Sequence, residues 1–71
     1  MSFSYNKLWK ILIDKNMNKT DLRMAIGITP TTLARLSKNE NVSMNVLGKI
    51  CHKLECDIND VVEYIGDSSE L

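Results

Sequence analysis

A short pattern recurs along the chain: an apolar residue, a polar residue with a side-chain oxygen, three further residues and a second apolar residue. Its five occurrences are Phe3–Ser4–Leu8, Met17–Asn18–Leu22, Ile28–Thr29–Leu33, Val42–Ser43–Leu47 and Cys56–Asp57–Val61. A polar side chain at such a position accepts a hydrogen bond from an unpaired backbone N–H at a helix start, and the apolar pair packs around it. The pattern therefore predicts five short helices, near residues 5–15, 19–26, 30–38, 44–54 and 58–65.

Residues that end or begin helices fall at matching places. Gly27 follows helix two and Gly66 follows helix five, where glycine adopts a left-handed conformation at the least cost. Pro30 takes the first position of helix three, where its missing N–H is not needed. Neither an alternating run nor a hairpin dipeptide indicates a strand. Helical spacing gives a predicted core of Tyr5, Leu8, Ile11, Leu12, Leu22, Ala25, Ile26, Leu33, Leu36, Leu47, Ile50, Cys51, Leu54, Ile58, Val61, Val62 and Ile65.

Length and composition limit the function. The chain has 71 residues, of which 44% are hydrophobic and 25% charged, so it supports one small core. This leaves no room for the walled cleft of most enzymes, and no nucleophile–base set is present. The first residues lack a signal peptide's apolar stretch, and no run of apolar residues is long enough to span a membrane. We expect a cytoplasmic, non-enzymatic domain over residues 1–66 with a short acidic tail, residues 67–71.

Charge is distributed unevenly although the net charge is zero. Residues 1–38 have seven cations and two anions, a net charge of +5, and residues 39–71 have two cations and seven anions, a net charge of −5. Such asymmetry favours an anionic partner for the first half. The alternative is that the two halves neutralise each other in the fold.

The connection between helices two and three is only three residues long, residues 27–29, and begins with glycine, which is typical of a helix-turn-helix. The stretch NKTDLRMAIGITPTTLARLSKNENVSMNVLGKICHKLECD resembles the Cro and phage-repressor (XRE-like) class of regulators, over roughly residues 6–65. The resemblance rests on Leu22, Gly27, Ile28, Thr32, Leu33, Leu36, Ser43, Leu47, Ile50 and Leu54. It implies an all-α, compact five-helix lambda-repressor-like DNA-binding domain, without a cofactor, that reads a near-palindromic operator as a homodimer.

The sequence departs from this family at two places. Arg23 stands where a small residue is usual, and we expect its aliphatic stem to pack while its charge reaches solvent. The family often pairs an arginine of helix one with a glutamate late in helix three. Those positions are Leu12 and Ser37 here, so we expect apolar packing in place of that ion pair.

Helix three has one face that can read DNA. Leu33 and Leu36 point inward, so Thr31, Ala34, Arg35 and Lys38 point outward. An arginine can bind guanine O6 and N7 with two hydrogen bonds, and threonine or alanine can contact a thymine methyl. The resemblance implies that Pro30, Thr31 and Arg35 occupy base-reading positions, so the predicted base-contacting residues are Pro30, Thr31, Ala34 and Arg35. The alternative for Arg35 is a phosphate contact or a solvated side chain.

Phosphate contacts are expected from cations and polar donors around this helix. They are Asn18, Lys19, Arg23, Thr29, Thr32, Lys38, Asn39, Asn41 and Ser43. Lys19 and Arg23 lie four residues apart, so they repel each other weakly until a polyanion lies across them. The alternative for each residue is an ordinary solvated face.

Other residues invite different chemistry. Cys51, His52 and Cys56 lack the paired spacings and the four ligands of a zinc site, so we interpret the cysteines as buried, reduced thiols and predict no metal. Trp9 and Ile13 extend the apolar arc of helix one. They either pack against helix five or join it in a dimer surface.

The leading hypothesis is a sequence-specific DNA-binding transcriptional regulator, a repressor that inserts helix three into the major groove of double-stranded DNA. An antitoxin that represses its own operon is a variant of it. The alternative is a small helical protein-interaction module, or antitoxin-like adaptor, that keeps the fold without specific DNA binding. Neutral net charge and Arg23 favour that alternative. No small-molecule ligand is evident.

Overall fold

The computed structural model describes residues 2–66, so the acidic tail lies outside the described residues. Within that range four α-helices follow a short strand, and a 3-10 turn and a second short strand follow the helices. Their order is β1 (Phe3–Ser4), α1 (Asn6–Asp14), α2 (Lys19–Ile26), α3 (Pro30–Ser37), α4 (Met44–Leu54), the 3-10 turn (Ile58–Asp60) and β2 (Glu63–Tyr64).

Three of the predicted helix starts have the expected cap. Asn18 accepts a hydrogen bond from the Asp21 N–H at 2.7 Å, and the Asp21 carboxylate accepts one from the Asn18 N–H. Thr29 caps α3, and Ser43 caps α4 by accepting from the Val46 N–H. Each cap satisfies a backbone donor that the helix itself cannot pair, which is why α2, α3 and α4 begin where the sequence predicts.

The first helix starts one residue later than predicted. Tyr5 takes the position before α1, and Ser4 accepts a hydrogen bond from the Asn6 N–H at 3.2 Å. Ser4 is buried and belongs to β1, because Phe3 and Ser4 pair antiparallel with Tyr64 and Glu63. The expectation that the chain has no strand was therefore wrong.

The fifth helix was also a wrong prediction. Residues 58–60 form a single 3-10 turn, and β2 follows two residues later. Val61 is fully buried, but Ile58 and Ile65 are 41% and 56% exposed. The apolar residues at 58, 61, 62 and 65 have helical spacing, but the segment does not form a helix. It forms a turn, buries Val61 and continues as a strand. The described fold is thus a mostly helical domain with four helices and a two-stranded sheet, in which Phe3–Ser4 pairs with Glu63–Tyr64, rather than an all-α five-helix domain.

One apolar core joins the four helices, the turn between α2 and α3, and Val61 after the 3-10 turn. Its ten buried side chains are Tyr5, Leu8, Leu12, Leu22, Ile28, Leu36, Leu47, Ile50, Leu54 and Val61. Ile28, in the turn between α2 and α3, is a core residue that helical spacing did not include. Ala25 was predicted to be in the core and is exposed, since α2 buries only Leu22 completely.

Candidate nucleic-acid interface

The turn between α2 and α3 is fixed by backbone geometry and by one buried side chain. Gly27 has a φ of 72°, the left-handed conformation in which glycine has no Cβ penalty. The N–H groups of Gly27 and Ile28 both donate to the carbonyl of Arg23, at 2.9 and 3.2 Å. Ile28 then enters the core, and Thr29 starts α3. These contacts set α3 at a defined orientation to α2.

The two faces of α3 differ sharply in exposure. Leu36 is fully buried and Leu33 half-buried, whereas Thr31, Ala34 and Arg35 are exposed. Pro30 is exposed at the first position of the helix, and Lys38 is exposed just after its end. The four predicted base-contacting residues therefore lie together on one solvent-facing surface, which we call the outer face of α3.

Among the predicted phosphate contacts, three residues serve first as helix caps. The side-chain oxygens of Asn18, Thr29 and Ser43 accept backbone hydrogen bonds at the starts of α2, α3 and α4. Thr32 lies next to this group, with its hydroxyl 3.0 Å from that of Thr29. A capping oxygen is an acceptor, so a phosphate contact from these residues must use the amide of Asn18 or a hydroxyl proton.

Arg23 is placed by the turn itself. Its side chain is half-buried, and its guanidinium donates a long hydrogen bond of 3.5 Å to the Ile28 carbonyl. Part of the charged group therefore contacts the turn, whereas the sequence predicted that the charge reaches solvent.

Asn39 has a structural role that the sequence pattern did not indicate. Its φ is 58°, and its side-chain oxygen accepts a hydrogen bond of 3.1 Å from the Tyr5 N–H. The hydroxyl of the buried Tyr5 in turn donates to the Glu40 carbonyl at 2.8 Å. The loop after α3 is thereby held to the start of α1. Asn41, two residues further on, is exposed.

Lys19 connects three helices. Its Nζ lies 4.3 Å from the centre of the Trp9 ring, and it donates a hydrogen bond of 3.2 Å to the Ser37 hydroxyl. Leu12 is buried, as the expected apolar packing requires. Ser37, however, is exposed and accepts from a cation of α2, so the site of the family's ion pair is only partly apolar.

Comparison with known proteins gives the family. The profile of the Cro/C1-type HTH DNA-binding domain matches residues 7–67. The chain belongs to this Cro/C1-type family. It is 34% identical, over 59 residues, to a protein of Bacillus subtilis (strain 168) named as the uncharacterized HTH-type transcriptional regulator YozG, covering 80% of this chain and 70% of that one.

A solved structure gives the same result for the fold. The crystal structure of the transcriptional regulator VanUg superimposes with a TM-score of 0.90 at 52% sequence identity, covering 93% of this chain and 88% of that one. This Cro/C1-type protein is a transcriptional regulator with a helix-turn-helix DNA-binding domain. The comparisons indicate no enzymatic family.

Of the cysteines of this Cro/C1-type chain, Cys51 lies in α4 and Cys56 lies just after that helix. Cys51 and Cys56 are both half-buried rather than fully buried, and both are free thiols. Burial raises the pKa of Cys56, and the neighbouring Cys51 and Asp60 raise it further. Within residues 2–66, no group of three or more histidine, cysteine or acidic side chains is arranged to hold a metal ion.

Trp9 and Ile13 take different positions. Trp9 is half-buried against the core, beside the start of α2, and Ile13 is 72% exposed. Neither packs on a fifth helix, because residues 58–64 form a turn and a strand.

In the part of the chain that the structure describes, no helix is both long and apolar enough to cross a membrane.

Proposed function

We propose that this regulator is a repressor that inserts α3 into the major groove of double-stranded DNA. The observation that supports this most directly is the outer face of α3. Pro30, Thr31, Ala34 and Arg35 are all exposed there, on a helix whose opposite side is anchored in the core by Leu36. A helix in the major groove reads base edges with such a solvent-facing surface.

Each of these residues has a chemical role in the proposal. The planar guanidinium of Arg35 forms two hydrogen bonds with guanine, and Thr31 and Ala34 contact thymine methyls or a base edge. Pro30 adds a stiff apolar surface at the helix start. Phosphate contacts come from the set around α3, namely Asn18, Lys19, Arg23, Thr29, Thr32, Lys38, Asn39, Asn41 and Ser43. Protein bound in this way occludes a promoter.

The proposed regulator binds as a homodimer. Two copies double the base contacts and read half-sites about one helical turn apart. In this proposal the DNA-binding domain spans residues 1–66, and residues 67–71 are a short acidic tail. Ile13, exposed on α1, is a candidate for the surface between copies.

Selection of bound duplexes from a random pool tests DNA binding, gives the operator and shows from its symmetry whether two copies bind. Arg35→Ala should then lower affinity for the selected operator about five- to 150-fold and relax the base preference at one position, because a bidentate contact discriminates by about 1–3 kcal/mol. Arg35→Lys keeps the charge but loses the planar fork, so it should not restore that preference.

Lys53→Ala is the matched control, since Lys53 is an exposed cation in the last turn of α4. It changes the net charge by the same amount and should leave the base preference unaltered. If Arg35→Lys binds with wild-type preference, Arg35 contacts phosphate rather than a base. If no duplex is enriched at low salt, the protein is an adaptor that keeps the fold without specific DNA binding.

A further inference from the structure

We propose that Trp9 and Ser37 are positioning residues that hold the ammonium of Lys19 where it binds a backbone phosphate of duplex DNA. This inference rests on the proposed DNA binding, and it adds a residue of α1 to an interface otherwise built from α2, α3 and the loop after α3. We call the three side chains the Lys19 clasp.

The geometry of the clasp is specific. The Lys19 Nζ lies 4.3 Å from the Trp9 ring centre, well within the distance of about 6 Å over which a cation is attracted to an indole face. The same Nζ donates to the Ser37 hydroxyl at 3.2 Å, 18 residues away along the chain. Lys19 is the first residue of α2 and Ser37 the last of α3, so the ammonium lies between the start of one helix and the end of the other.

Both partners in the clasp are uncharged. A carboxylate partner would neutralise the lysine and reduce its attraction for an anion, but an indole ring and a hydroxyl leave the full positive charge in place. A lysine ammonium has three N–H donors, and the hydrogen bond to Ser37 uses one of them. The clasped group can therefore still donate to phosphate oxygens.

Holding the side chain also has a thermodynamic effect. Lysine has one of the largest losses of rotamer freedom when it is immobilised. A side chain already restrained by Trp9 and Ser37 loses less of that freedom when a phosphate arrives, so binding is stronger than for a free lysine. Arg23 lies one turn along α2 and repels Lys19 weakly, and this also makes an anion between them favourable.

The location agrees with the proposed interface. Phosphate contacts set the register of a helix in the major groove, because the two backbones flank the groove. Ser37 ends the helix whose outer face is proposed to read bases, so an ammonium attached there lies at the margin of that surface. The clasp thus ties phosphate binding to the position of α3.

The test measures binding of a fluorescently labelled mixed-sequence duplex of about 20 base pairs, which requires no operator because phosphate contacts are independent of sequence. Lys19→Gln should lower affinity about three- to tenfold at low salt and reduce the log–log salt slope by about 0.9 for each bound copy. Trp9→Leu and Ser37→Ala should each lower the affinity and reduce the salt slope, but by less than Lys19→Gln does. In the Lys19→Gln background, neither substitution should lower affinity further.

Conservative and control variants separate positioning from folding. Trp9→Phe keeps an aromatic face and should restore part of the affinity and of the salt slope that Trp9→Leu loses. Ser37 is exposed, so Ser37→Ala keeps the protein folded even if Trp9→Leu weakens it. Lys10→Gln removes an exposed cation from the same helix as Trp9, and its effect should simply add to that of Trp9→Leu.

A second readout comes from the protein without DNA, because Trp9 is the single tryptophan of the chain. Lys19→Gln should change its fluorescence, and Lys10→Gln should not. The inference is overturned if Trp9→Leu and Ser37→Ala bind duplex with wild-type affinity and salt slope, or if their losses persist unchanged in the Lys19→Gln background. If the wild-type protein itself binds no duplex at low salt, the proposed function fails and this inference fails with it.

Discussion

At the scale of single residues, Asn39 shows how a polar loop residue can serve the fold at the edge of a binding surface. Its side-chain oxygen pairs with the backbone N–H of Tyr5, 34 residues earlier, and its backbone is left-handed. Asparagine tolerates that conformation better than most residues. Sequence reasoning assigned Asn39 to phosphate contact because nothing local in the sequence indicates its partner.

We predict that Asn39→Ala lowers the free energy of unfolding by about 1–3 kcal/mol, because it leaves the Tyr5 N–H without its acceptor and puts alanine at a positive φ. Asn39→Gly also loses the acceptor but accepts the left-handed backbone, so it should cost less. Urea unfolding measures both. Asn41→Ala is the control, since Asn41 is exposed, and it should change stability by less than about 0.5 kcal/mol. Equal stability of Asn39→Ala and the wild type would show that the bond to Tyr5 contributes nothing.

Two buried or half-buried acids give a prediction about alkaline pH. Burial raises the pKa of Cys56 above its ordinary value of 9.0 and that of Tyr5 above 10.0. The folded protein therefore holds these protons more tightly than the unfolded chain, so their contribution to stability is complete below pH 9.0 and is lost as pH rises through the raised values. Urea midpoints should fall across this alkaline range.

The variant Cys56→Ala separates the two groups. It removes the thiol's part of the alkaline loss and keeps the part that belongs to Tyr5. Alkylation by iodoacetamide gives an independent check, because the thiolate is the reactive form. At about pH 8.5 the folded protein should react at Cys56 more slowly than the urea-unfolded chain. A folded-state rate above the unfolded rate would show that the pKa is lowered rather than raised.

At the scale of elements, local chemistry was sufficient for α2, α3 and α4. Each has a capping side chain at its start, Gly27 ends α2 and Pro30 begins α3, so the decisive contacts join residues only a few positions apart. The exposed surface of α3 was predictable for the same reason, because once a helix is fixed, its period decides which side chains face the core.

The last element could not be predicted in this way. Residues 61–65 are rich in β-branched and aromatic side chains, which suit a strand, and an isolated helix as short as the predicted 58–65 is unstable in water. Residues 63–64 form a strand because they pair with β1, about 60 residues earlier. The Phe3 and Tyr64 rings also meet edge-on, with their centres 5.4 Å apart. The apolar spacing within residues 58–65 gives no information about these contacts, because their partners lie at residues 3–4.

This difference leads to a prediction about Val61 and Ile65. In a helix over 58–65 both would lie on the buried stripe, but Val61 is fully buried and Ile65 is 56% exposed. Val61→Ala should therefore lower the free energy of unfolding by about 2 kcal/mol, through lost burial and a cavity, and Ile65→Ala by less than about 0.5 kcal/mol. Thermal unfolding of the two variants makes the comparison. Similar, large losses for both would favour the helix over the strand.

At the scale of the whole molecule, the two halves of the chain differ by ten charges while the total is zero. The five cations from Lys15 to Lys38 lie in or beside the helix-turn-helix, and all except half-buried Arg23 are exposed. Net charge alone therefore says little about DNA binding by this protein. Sequence reasoning recognised the asymmetry, but it missed that Lys19 and Arg23 also make contacts within the protein, which depend on how α1, α2 and α3 pack.

The salt dependence of DNA binding tests how this charge is used. If each copy neutralises three or four phosphates, a dimer releases the counterions of six to eight phosphates, and the log–log slope of affinity against salt should be about −5 to −7. A monomer with the same contacts should give about half that slope. Anisotropy titrations of the selected operator between about 50 and 200 mM salt measure it. Lys38→Gln should reduce the magnitude of the slope by about 0.9 per copy. Lys49 is an exposed cation on α4, in the acidic half, and Lys49→Gln should leave the slope unchanged. A slope near zero would mean that the basic half neutralises the acidic half instead of DNA.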